Sequence, residues 1–166
     1  MARRVIALLV WCACSLAYAD CFDRAAERFK TNSDLLRAMA EQESYNRVNA
    51  VGPLLPDGNR AVGKMQVNTV HLPELAKYGV TKKDLMTECG SVFVGAWIFA
   101  GYASRVGHTW EAVGIYNTGP ASKNRAAQAR YIAAVRRRFE RIQHERARAA
   151  QRPIQVAGRM AVWGND

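Results

Sequence analysis

The run over residues 91–104, Ser-Val-Phe-Val-Gly-Ala-Trp-Ile-Phe-Ala-Gly-Tyr-Ala-Ser, is apolar on nearly every face. It is shorter than the roughly 20 residues that a bilayer crossing requires, so its surroundings must be protein, and it reads as a buried central helix. Amphipathic helices flank it on both sides. One is expected over residues 23–30. A second starts within Thr31-Asn32-Ser33, where Thr31 and Asp34 have capping-box spacing and Ser33 is an alternative cap, and it ends near Tyr45-Asn46. Gly52, Pro53, Pro56 and Asp57-Gly58-Asn59 then make a turn-rich segment with room for a small β-hairpin. Short helices are expected over residues 73–78 and 81–86. Another follows the central run over residues 110–116, capped by Thr109 and stopped at Asn117-Thr118-Gly119-Pro120. The last begins near Ala121 or Ser122 and carries Tyr131, Ile132, Val135, Phe139 and Ile142 at helical spacing. The expected fold is a single, mainly α domain.

The N-terminus has Arg3 and Arg4, an apolar run from Val5 to Leu16, and Ala17-Tyr18-Ala19 ahead of Asp20. A basic start, a short apolar middle and small residues at the cleavage point describe a secretory signal over residues 1–19. Of the four cysteines, Cys12 and Cys14 leave with it. Cys21 and Cys89 are then the thiols of an exported chain, and a disulfide between them is expected, closing a long loop for on the order of 2 to 4 kcal/mol; two buried free thiols are the alternative. No membrane segment is expected after signal removal. Residues 20–148 form the expected domain and 149–166 a flexible C-terminal tail.

The net charge of +10 is concentrated in the last helix, where ten Lys or Arg fall between Lys123 and Arg152 against Glu140 and Glu145. Such a block is either a solvated face backed by packed apolar residues or a cationic surface that attaches to anionic envelope polymers or to an assembly partner. Nucleic acid is not an expected partner of an exported chain. His71, His108 and His144 are scattered, with no His-Glu-x-x-His and no paired-cysteine motif, so neither a metal nor a cofactor is expected. Nor is there a Gly-x-Ser-x-Gly nucleophile turn.

Glu43 is the candidate for chemistry. It shares the apolar stripe of Leu36, Met39 and Ala40 in the second helix, where an ionised carboxylate costs several kcal/mol unless paired or functional. Pairing with Arg47 is one resolution. The other is a proton donor held neutral near pH 7 by its apolar setting, which is what glycosidic bond cleavage needs. Asp57, Glu74, Asp84, Glu88 and Glu111 lie in turns or on polar faces, which favours one acid over the two-carboxylate routes of hydrolysis.

Glu43-Ser44, Gly63-Lys64-Met65-Gln66-Val67-Asn68 and Ile115-Tyr116-Asn117-Thr118-Gly119 occur in that order. They resemble the three motifs of the lytic transglycosylase domain. His71-Leu72-Pro73-Glu74-Leu75, Cys89 and Gly95-Ala96-Trp97 further resemble its small specialised members serving secretion, conjugation and pilus machines. The resemblance implies a lysozyme-like α+β fold acting on the β-1,4 bond between N-acetylmuramic acid and N-acetylglucosamine in periplasmic peptidoglycan, with 1,6-anhydromuramic acid formed. It implies Glu43 as sole acid and base and Ser44 as its support. It further implies that Gly63 lets backbone approach the sugar, that Met65 and Gln66 line the cleft, that the Tyr116 hydroxyl touches the Glu43 carboxyl, and that Asn117 binds near the cleavage point. Lys64 and Ile115 stand where the family usually has leucine and alanine, which leaves the packing beneath the second motif open. Implied partners are glycan strands and components of an envelope assembly; a hydrolytic muramidase and a non-catalytic wall-binding scaffold are the alternatives.

Overall fold

The computed structural model describes residues 19–152; the expected signal, apart from Ala19, and the outer part of the expected tail lie outside them. The described residues form seven helices and one two-stranded sheet: α1 (Cys21–Phe29), α2 (Ser33–Ser44), β1 (Ala61–Val62), β2 (Val67–Asn68), a 3-10 turn (Thr69–His71), α3 (Leu72–Ala76), α4 (Lys82–Leu85), α5 (Glu88–Val106), α6 (Trp110–Thr118) and α7 (Arg125–Gln151). Among them no helix is long and apolar enough to cross a membrane.

The apolar run is the core of α5, which packs against α1, α2, α4, α6 and β2 and buries Val92, Val94, Ala96, Ile98, Phe99 and Ala103. Cys21 at the start of α1 is bonded to Cys89 at the start of α5, across a sequence separation of 68. Beside this tie lies Lys64, buried despite its charge: its Nζ meets Glu88 Oε1 at 2.5 Å and sits 5.6 Å from the Phe22 ring centre. The departure from leucine is thus accommodated by an ion pair and a cation–π contact at the rim of the core.

Three local expectations are corrected. The α2 cap is neither Thr31 nor Ser33 but Asn32, whose side chain accepts from the amides of Asp34 and Leu35. Thr31 is already spent closing α1, since its N–H reaches the Ala26 carbonyl at 3.0 Å past the left-handed Lys30. The last helix starts at Arg125 rather than near Ala121 or Ser122, because Asn124 caps it and the Ser122 hydroxyl accepts from the Asn124 amide in a turn of its own. The β-hairpin does not use Asp57-Gly58-Asn59, which is a separate turn held by Asp57 Oδ1. Its strands pair Ala61 with Asn68 and Val62 with Val67 around residues 63–66.

Much of the basic block is engaged inside the fold. Arg138 and Arg141 pair with Glu41, Arg146 pairs with Asp34 at 2.9 Å, and Arg136 lies 4.6 Å from the Trp110 ring centre. The three arginine–carboxylate pairs clamp α7 along α2, and Arg136 holds it against α6.

Gly63 has φ +78°, and a Cβ built there would stand 1.9 Å from the Leu85 carbonyl oxygen and 2.7 Å from Ser91 Oγ. Gly63→Ala combines a left-handed backbone with a clash against backbone that cannot rotate away, so it is expected to cost about 3 kcal/mol in denaturant unfolding.

Candidate active site

Glu43 stands one residue before the end of α2, where Tyr45 turns left-handed and stops the helix. Leu36, Met39 and Ala40 from the same stripe are fully buried, so the helix is anchored and its last turn delivers the carboxyl into a cleft of 680 Å³. Glu43 is the one Asp or Glu among the residues that line it. Arg47 does not neutralise it: the Arg47 Nε donates to the Ser44 carbonyl at 3.0 Å, and no salt bridge to Glu43 is present among the described residues. Its partner is the hydroxyl of Tyr131, which donates to Oε1 at 2.5 Å. Burial pushes the Glu43 carboxyl up from its ordinary 4.5 to about 7, with the Tyr131 hydrogen bond pulling against that rise.

The expected site residues divide into two layers. Gln66, Tyr116 and Asn117 line the cleft with Glu43. Ser44, Gly63 and Met65 are buried beneath it. Ser44 Oγ donates to the Lys64 carbonyl at 2.7 Å and so ties the end of α2 to the hairpin turn. Met65 is a correction: rather than lining the cleft, its side chain is fully buried over Gly95, where a Cβ would come within 2.7 Å of it. Gly63 is another, since its missing Cβ faces Leu85 and Ser91 in the interior, not the cleft. Gln66, itself at φ +48°, turns its amide back to the carbonyls of Gly63 and Ala50, which pins the turn that presents it.

Tyr116 is the third correction. Its hydroxyl donates to the Met65 carbonyl at 2.9 Å, and the phenol on Glu43 is Tyr131 from α7. The sequence marks Tyr131 only as a core position of the last helix. The available signal is chemical, for a tyrosine in a core must find a partner for its hydroxyl. Burial and the neighbouring carboxyl hold both phenols well above their ordinary range, so both remain donors at neutral pH. His71, Asn68, Tyr102, Arg105 and Thr118 complete the polar lining. Burial lowers His71, keeping its ring neutral.

A lone, partner-poor carboxyl with a raised pKa in an open groove can give a proton and take one back, and this geometry accords with what comparison finds. The family description "Transglycosylase SLT domain" matches residues 20–138. The chain belongs to that family. Relatives of this SLT domain include Invasion protein IagB of Salmonella typhimurium, 33% identical over 90% of this chain and 94% of that one. Protein IpgF of Shigella flexneri is 36% identical over 87% of this chain and 95% of that one. The X polypeptide of Escherichia coli K12 is 42% identical over 67% and 66%. Among solved structures, an inactive mutant of lytic transglycosylase Slt from Pseudomonas aeruginosa superposes with a TM-score of 0.62 at 18% identity. It covers 81% of this SLT domain chain and 25% of its own length, a likeness of fold. The mainly α, lysozyme-like expectation with a small hairpin therefore holds.

Proposed function

We propose that this chain is a peptidoglycan lytic transglycosylase, cleaving between N-acetylmuramic acid and N-acetylglucosamine and leaving a 1,6-anhydromuramoyl end. The observation that carries the reading is Glu43, the single carboxyl of the cleft lining, raised to about 7. At neutral pH a large fraction is protonated. It gives that proton to the glycosidic oxygen as the bond to the muramoyl C1 breaks, and the N-acetylglucosamine leaves as an alcohol. The muramoyl C6 hydroxyl then adds to C1, and the Glu43 carboxylate takes its proton, restoring the acid. No water is consumed, and one group serves both steps. A hydrolytic route of the usual kind needs a second carboxylate across the bond. Gln66 and Asn117 are the proposed sugar contacts; Ser44, Gly63, Met65 and Tyr116 hold the floor. The neighbour of known structure is inactive with one glutamate changed to glutamine, which supports an essential glutamate in this fold.

The proposed setting is the periplasm, supported by the signal-like residues 1–19 and the Cys21–Cys89 bond. Kinship with a protein named for invasion supports local opening of the wall for an envelope-spanning machine.

Mass spectrometry of digested sacculi tests the reaction. Anhydro-muropeptides one water lighter than reducing ends are expected; reducing ends alone would make the chain a muramidase, and intact sacculi a binding scaffold. A second expectation concerns pH. With the acid form required first, kcat/KM falls about tenfold per pH unit above 7. Tyr131→Phe removes the bond that lowers the Glu43 pKa, so the falling limb moves to higher pH. Loss of positioning cuts the plateau by about tenfold, read from the same pH–rate profile.

A further inference from the structure

The cleft is not a simple trough. A second cavity of 250 Å³ opens beside it, and the two share Tyr102, Arg105 and Pro120 as common wall. Across the side cavity stand Glu111 and Arg125, which face each other at 3.7 Å, with Arg125 also donating to Gln128 Oε1 at 3.1 Å. That arginine, though exposed, has partners within the protein. Arg105, in the last turn of α5, is exposed and takes part in no ion pair or side-chain hydrogen bond among the described residues. The walls of the side cavity thus hold two cations and one anion, a net positive lining whose unmatched charge sits at the junction with the cleft.

A branched ligand is what such a shape accommodates. A glycan strand is linear, but each muramoyl residue carries a lactyl arm at C3 that ends in a carboxylate or continues into a peptide with free carboxylates. We infer that the side cavity receives this arm and that Arg105 binds its carboxylate, making Arg105 a specificity-determining residue that fixes which sugar of the alternating strand lies over Glu43. Two chemically different sugars alternate along the strand, and only one carries the arm, so a cation beside the groove sets the register in steps of a disaccharide. Guanidinium is suited to this, presenting a planar fork to a carboxylate. The inference rests on the proposed glycan substrate.

Binding tests it without turnover. Glu43→Gln protein is titrated with four probes: peptide-bearing glycan fragments released from sacculi, the same fragments stripped of peptide to leave the lactyl carboxylate, and each of these two with its carboxylates capped as methylamides. Capping is expected to weaken binding about tenfold, since a charge-assisted hydrogen bond is lost. Comparing the two uncapped fragments shows whether the arm's own carboxylate or a peptide carboxylate is read. Adding Arg105→Gln should erase the capping effect, and Arg105→Lys should restore part of it. A capping effect that survives Arg105→Gln, or none in the parent protein, overturns the inference. Failure of the proposed reaction shows separately, as wild-type protein that leaves sacculi without anhydro ends.

Discussion

Glu43→Gln is expected to lower sacculus cleavage by at least about 10³-fold, because the glutamine can neither protonate the leaving oxygen nor accept the C6 proton, and each transfer is worth 10² to 10⁴. The fold should survive it. The amide fits the same space and can still accept from Tyr131. Stability gives an independent readout. The folded carboxyl titrates near 7 and the unfolded one near 4.5, so between these values the folded state holds a proton that the unfolded state has released. Stability from this group is therefore complete below 4.5 and drains away as pH rises to 7, by up to about 3 kcal/mol. Glutamine does not titrate. The variant should thus gain stability relative to wild type across that window, keep the gain above pH 7, and lose it below 4.5. Chemical denaturation at pH 4, 6 and 8 with a cleavage assay checks both halves. A variant that cuts as fast as wild type would remove Glu43 from the reaction.

The second large effect is on the scaffold. Replacing Cys21 and Cys89 together by serine opens a 68-residue closure, which in the chain-entropy account is worth about 4 kcal/mol. In a domain of this size that lowers Tm by about 10 °C or more. The tie also holds the start of α5, and the residue before Cys89 is Glu88, partner of Lys64. Lys64 in turn offers its carbonyl to Ser44 beside Glu43. Thermal unfolding of the double variant, with and without reductant, measures the first effect; reductant should shift wild type and leave the variant where it is.

The sequence made the frame legible where one interaction dominates. Residues 91–104 are apolar on nearly every face, so the burial of most of them in α5 follows from composition alone. Glu43 was legible because a charge among Leu36, Met39 and Ala40 contradicts its surroundings. What escaped depends on competition between equals or on contacts distant in the chain. Thr31, Asn32 and Ser33 are all good caps, and the winner was decided by the end of α1. Two tyrosines could reach Glu43, and nothing along the chain says that Tyr116 spends its hydroxyl on Met65 while Tyr131, 88 residues beyond Glu43, takes the carboxyl. Met65 and Gly63 were placed on the wrong side of the cleft floor for the same reason: their motif fixes position along the chain, whereas Gly95, Leu85 and Ser91 decide which way they face.

The bond between Tyr131 and Glu43 joins nearly the first packed helix to the last, and the arginine clamps on Glu41 and Asp34 fasten them from the same late segment. Because chains emerge N-terminus first, a polypeptide cut short between α6 and α7 possesses the acid, the hairpin and the central helix, yet lacks the wall that holds that acid in place. Premature termination there should therefore yield inert fragments rather than weakened ones, because the last described helix supplies the far wall of the site.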